Sequence, residues 1–210
     1  MSRRRPAVLR DAAPDRTLRE HLISTAARLV GERGRAGLTV RDIAHEAQVA
    51  DGALYNYFEG KDDLLAHALS AHVDAVMRDA GLPQPGEATV EANLRAYIDY
   101  GLRVLTRVLP AFAGFLAQPE VIARTGRLLG QPGQAPSLPE LVGAYLEGEQ
   151  RLGRISPEAS LTAATTLIVG ACHELTLPRM LFIPEAELGN VPPEAVDDLV
   201  TTVLSGISPA

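Results

Sequence analysis

Apolar residues recur at helical spacing through almost the whole chain. Between Thr17 and Glu32 they fall at Leu18, Leu22, Ala26, Leu29 and Val30, which is one stripe on a helix, and Gly34 and Gly37 are placed to end it. The stretch Leu38-Thr39-Val40-Arg41-Asp42-Ile43 predicts a sharply defined helix start. Thr39 can cap the backbone, Asp42 can reach back to it, and Leu38 can pack on Ile43 as a hydrophobic staple. That helix is predicted to run only to about Ala47. Gln48-Val49-Ala50 then turns the chain into a third short helix over roughly Asp51 to Phe58.

Glu59-Gly60 breaks the pattern and Lys61 opens a longer helix to about Ala80. A loop with Pro83 and Pro85 follows. Helical patterning resumes from about Val90 to Leu109, stops at Pro110, and returns for two shorter stretches before a loop at Gly130 to Ser137. Leu138 to Leu152, Pro157 to about Leu181 and Pro193 to Leu204 complete the set, with Ser156-Pro157 as cap and first-turn residue. The expected fold is all-α: an N-terminal three-helix domain over residues 1–61, including a basic arm, and a larger helical domain over 62–210.

Two short helices joined by a tight turn and braced by a preceding helix can place the second in the major groove of DNA. On a wheel of the third helix, Leu54 and Phe58 share one side, Asn56 points nearly opposite, and Tyr55 and Tyr57 flank it. A buried pair beneath a polar, aromatic outer face suits groove docking.

At these residues the sequence resembles the tetracycline-repressor (TetR/AcrR) family. The resemblance lies in Leu38-Thr39-Val40-Arg41-Asp42-Ile43-Ala44, then Val49, then Gly52-Ala53-Leu54-Tyr55-Asn56-Tyr57-Phe58, then Lys61-Asp62-Asp63-Leu64-Leu65, and covers about residues 17 to 66. It implies a DNA-binding regulator whose remaining helices bind a small-molecule effector and form a homodimer on double-stranded operator DNA. It makes Arg41 a base reader, able to pair with both O6 and N7 of guanine. It places Tyr55, Tyr57 and Thr39 on phosphates, with Lys61 holding another at a helix N-terminus. Gly52, Ala53 and Asn56 belong to the same reading surface. The chain departs from the family at Ala50 and Ala53, where members often carry Ser or Thr, and at Asp51, where a polar or basic residue is common. Asp51 can accept from cytosine N4, cap the third helix or repel phosphate, and the sequence leaves these open.

Charge agrees with a DNA-reading head on an acidic body. The net charge is −6, yet residues 1–61 hold 11 Arg and Lys against 8 Asp and Glu, while the remainder holds 9 against 18. Arg3, Arg4, Arg5 and Arg10 read equally as a minor-groove arm or a solubilising tail. Aromatic residues make up only 4% of the chain, and they mark the larger domain's candidate effector site: Tyr97, Tyr100, Phe112 and Phe115, with Met180 beside them in character. His173 and Glu174 interrupt an apolar run and read as a satisfied core pair, a dimer contact or polar anchors in a pocket.

Enzyme chemistry finds little support. The five histidines show no metal-binding pairing on one helix face, and a single cysteine, Cys172, cannot build a thiolate site, so neither a metal nor another cofactor is expected. No export signal is legible, and the uncharged run from Ala159 to Cys172 is too short to span a bilayer, which predicts a cytoplasmic protein with no membrane partner. Two readings remain: a ligand-responsive repressor, and a small-molecule binding or sequestering protein with a degenerate helix-turn-helix.

Overall fold

A computed structural model describes residues 17–33, 38–78, 81–182 and 191–208. Among these, the regular elements are all helical: α1 (Leu18–Arg33), α2 (Val40–Glu46), a 3₁₀ segment (Asp51–Asn56), α3 (Lys61–Met77), α4 (Val90–Ala113), α5 (Pro119–Leu129), α6 (Leu138–Arg151), α7 (Leu161–Phe182) and α8 (Pro193–Ile207). No described helix is long and apolar enough to cross a membrane. The basic arm and the Gly34/Gly37 terminator lie outside the described residues.

The chain divides into two compact units, one of residues 1–76 with 110–134, the other of 77–109 with 135–210. The first gathers Leu22, Ala26, Ile43, Leu54, Leu65 and Phe115 into one apolar core. It draws on α1, α2, the 3₁₀ segment, α3 and the residues after Pro110, so no single amphipathic helix there stands alone.

In the second unit Leu94, Ile98, Val142, Tyr145, Leu146 and Ile168 are buried. Gly101 lets α4 approach its neighbours closely: a Cβ there would come 3.0 Å from Leu138 Cδ2 and 3.1 Å from Cys172 Sγ. Cys172 is fully buried, and burial pushes its thiol up to about 12. A thiol that stays protonated is a packing group.

The helices depart from the sequence pattern in several places, most plainly around Pro110 and Pro157. The helix expected to stop before Pro110 runs through it to Ala113. Proline removes one backbone bond at a cost of about 3 kcal/mol, and burial of Ala111 and Phe115 in the first unit's core offsets it. The helix expected from Pro157 begins at Leu161. Gln150 Nε2 donates to the carbonyls of Ser156 (2.8 Å) and Ala159 (3.3 Å), which holds that stretch as a turn, and Ser160 supplies the cap, its Oγ accepting from Ala163 N–H at 3.3 Å. Between Pro110 and Gly130 a single helix follows a turn where two short stretches were expected.

Candidate nucleic-acid interface

The candidate surface begins with a helix start that behaves as its sequence dictates. Thr39 is extended (φ −104°, ψ 156°), its Oγ1 accepts from Asp42 N–H at 3.2 Å, and its own N–H donates to Asp42 Oδ2 at 2.9 Å. This is a complete capping box, and Leu38 and Ile43, 5% and 0% exposed, form the apolar staple beside it. Two orphan donors are satisfied locally, which is why α2 can form in only seven residues.

The turn after α2 depends on a residue the sequence does not advertise. Gln48 adopts φ 56°, the left-handed region usually left to glycine or asparagine. Its N–H donates to His45 O at 3.1 Å and Val49 N–H to Ala44 O at 3.0 Å, closing both carbonyls of a Schellman turn. His21 Nε2 reaches Ala47 O at 3.3 Å, and Arg28 pairs with both Glu32 and Glu46, so α1 braces the turn from behind.

Beyond it, Asp51–Asn56 winds as a 3₁₀ helix where an α-helix to Phe58 was expected. Six residues pinned between two turns cannot propagate α bonds, and the tighter form is common in such short pieces. The division of faces nevertheless follows the wheel. Leu54 and Phe58 are 2% and 5% exposed; Tyr55 and Tyr57 are 65% and 40% exposed, with Asn56 exposed between them. Phe58 joins the helical side because its N–H donates to Leu54 O at 3.1 Å, an α-type bond closing the segment.

The other candidates gather around this face. Thr39 and Arg41 are exposed at the start of α2 and Lys61 at the start of α3. Val40, Tyr55, Phe58 and Lys61 line one shallow dent, which brings the three elements to a common surface. Gly52 is exposed, with open space where a Cβ would stand, and Ala53 is half-buried. The cap position of the segment is Ala50, which makes no side-chain bond, and Asp51 is the first residue within it.

The segment is steadied by contacts that spacing alone did not reveal. Arg19 of α1 lies over the Phe58 ring, 5.2 Å from its centroid, and donates through Nη2 to His67 Nε2 of α3 at 2.8 Å. His67 meets Phe58 at 5.9 Å and a 56° tilt. From α5, Arg124 Nη1 donates to Glu59 Oε2 at 3.0 Å and stands 3.8 Å from Asp63 Oδ1. The spacing of Asp63 and His67, four residues apart on α3, was the one legible signal of this cluster.

The effector candidates are distributed over both units. Tyr97 and Tyr100 belong to the second unit; their hydroxyls donate to Pro83 O (3.2 Å) and Met77 O (2.8 Å), and Tyr97 stacks on Tyr145 at 4.6 Å. Burial raises the pKa of both tyrosines. Met180 is buried in the same unit. Phe112 and Phe115 pack instead with the core of the first unit. His173 and Glu174 are exposed on α7, where His173 Nδ1 donates to Val169 O at 2.8 Å and Glu174 lines a groove between α7 and α8. Tyr145 and Glu149, both buried beside Tyr97, were not singled out from sequence because nothing in their spacing announces a buried polar pair.

Comparison with known proteins agrees with the geometry. Residues 22–68 match the model of bacterial regulatory proteins, tetR family. The HTH-type transcriptional regulator BetI of Brucella canis is 36% identical over 81 residues, covering 35% of this chain and 41% of that protein. HbdR of Aromatoleum sp. is 35% identical over 79 residues, covering 35% and 34%. This chain thus spans about two fifths, or less, of the length of the curated relatives it matches. Likeness of fold extends much further. A TetR-family transcriptional regulator from Mesorhizobium loti superposes with a TM-score of 0.68 at 15% identity, over 91% of this chain and 97% of that one. FadR of Bacillus subtilis, solved in complex with stearoyl-CoA, does so with a TM-score of 0.57 at 19% identity, over 89% and 98%. Residues 22–68 are thus similar to the N-terminal domain of bacterial regulatory proteins of the tetR family, and the all-helical fold of the chain is similar to that of solved regulators.

Proposed function

We propose that this protein is a cytoplasmic transcription regulator that binds a palindromic operator as a homodimer and is released from it by a small, mostly apolar effector. The observation that carries the reading is the exposed Tyr55-Asn56-Tyr57 face on buried Leu54 and Phe58, flanked by Arg41 and Lys61. Arg41 reads a base; Thr39, Tyr55, Tyr57 and Lys61 position the head on phosphates; Gly52 and Ala53 let the backbone approach the groove closely. Binding to two half-sites about 34 to 36 Å apart requires a dimer. An exposed small-residue face on α7, with Ala163 and Gly170 beside a 63% exposed Leu167, supports pairing through α7 and α8.

The effector reading is supported by the aromatic character of the second unit and by two neighbours of the same fold. One is the stearoyl-CoA complex; the other is the flavonoid-responsive regulator FrrA, with a TM-score of 0.62 at 18% identity. An effector dissociates the complex only by binding the DNA-incompetent state more tightly, so operator DNA weakens effector binding by the same factor.

The test is selection of duplexes from a random pool, followed by affinity measurements across a salt series. Arg41→Ala should cost about 1 to 3 kcal/mol and relax preference at one base. Lys61→Ala should weaken all sequences alike and flatten the salt slope by about one unit. No duplex enriched, or both variants equal to the parent, overturns the assignment, and a monomer in sedimentation at micromolar concentration overturns the dimer.

A further inference from the structure

We propose that His67 is a proton-operated switch on the DNA-reading segment: neutral, it anchors Arg19 over Phe58, and protonated, it turns to Asp63 and lets Arg19 go. The geometry requires a definite starting state. Arg19 can only donate, so the 2.8 Å contact makes Nε2 of His67 the acceptor and puts the ring proton on Nδ1. A second proton would have to sit on Nε2, facing a guanidinium. The alternative partner is already in place, because Asp63 Oδ1 lies 3.6 Å from the same nitrogen.

Every charged group around the ring bears on this exchange. Arg19 from α1 opposes protonation, and Asp63 on α3 favours it. Arg124 from α5 competes for Asp63, and Glu59 draws Arg124 away while its own N–H donates to Asp63 Oδ2 at 3.1 Å. Burial comes first, and with Arg19 it holds the imidazole below its ordinary value despite Asp63. The folded state therefore binds its proton later than the unfolded state does. Stability from this contact is complete above the ordinary imidazole value and is lost as pH falls towards the lower folded one. Arg19 then loses its acceptor, and Phe58, which closes the reading segment, loses the cation over its ring.

The proton step stands on the contacts and burial of His67, and its consequence for DNA rests on the proposed reading role. The experiment is a titration of the full chain with isotope-labelled histidine, using the His67→Gln and Arg19→Met variants. Expected are an Nδ1–H tautomer at pH 8, a midpoint below that of free imidazole, and a rise of that midpoint in Arg19→Met, where the opposing charge is gone. A midpoint at or above the free value, or one unmoved by Arg19→Met, overturns the switch. Amide exchange at Tyr57 and Phe58, corrected for intrinsic rates, should lose protection between pH 7.5 and 5.5 in the parent and not in His67→Gln; equal behaviour also overturns it. With a duplex selected at pH 7.5, the parent should lose more affinity on acidification than His67→Gln. Absence of DNA binding at both pH values would reject the reading role and leave the first two readouts to decide the switch.

Discussion

The turn at residues 47–50 and the loop at 83–89 both redirect the chain between helices, with different shares of local and distant hydrogen bonds. In the first the carbonyls of Ala44 and His45 accept from Val49 and Gln48 close by in sequence, and His21 and Arg28 of α1 brace it from behind. The second is held from outside. Tyr97 donates to Pro83 O at 3.2 Å, Gly86 N–H to Glu149 Oε1 at 3.2 Å, Asn93 Nδ2 to Glu87 O at 2.6 Å and Arg154 Nη2 to Ala88 O at 2.6 Å. The turn's own hydrogen bonds come from neighbours in sequence, while its packing still draws on α1 and α3. The loop's come from α4, α6 and the residues after them.

The sharpest way to break this contrast is at Glu149, a fully buried carboxylate 3.2 Å from Arg154 Nε. Glu149→Ala should cost about 3 kcal/mol, because an arginine and the Gly86 amide lose their buried partner. Urea unfolding followed by amide exchange should place the loss in residues 83–89 and spare residues 39–58. A loss shared equally by both would deny the separation.

Gly148→Ala asks the same question through space. A Cβ there would meet Pro85 Cγ at 2.3 Å, so the loop must be displaced, at about 2 kcal/mol. Thr39→Ala removes only a local cap, and about 1 kcal/mol should disappear from α2 protection with the loop untouched. The smallest effect has the opposite sign. Gln48→Gly should stabilise the turn by up to about 1 kcal/mol, since φ 56° strains any residue with a Cβ. A thermal midpoint that falls in Gln48→Gly would show that the glutamine side chain contributes more than its backbone costs.

The same division governs what could be read in advance. The capping box, the staple, the buried Leu54/Phe58 pair and the exposed tyrosines all follow from residues within four positions of one another. Gln48 escaped because its left-handed backbone is imposed by the helices on either side, and glutamine carries no mark of it. Arg19 escaped because its partners, Phe58 and His67, lie 39 and 48 residues away in sequence. The aromatic residues were legible as apolar, but not that Tyr97 and Tyr100 belong to one unit and Phe112 and Phe115 to the other.

The sequence by itself determined the helical periodicity, the start of α2 and the two faces of the segment from Leu54 to Phe58, since each is written in short spacings that local sterics and hydrogen bonding translate directly. Tertiary structure alone decided that Pro110 does not end a helix, that Pro157 does not begin one, and that Arg19, His67 and Asp63 share one proton's choice of partner. Those outcomes depend on which distant groups bury or accept a hydrogen bond, and a buried polar atom takes whatever partner the fold brings within 3 Å or so.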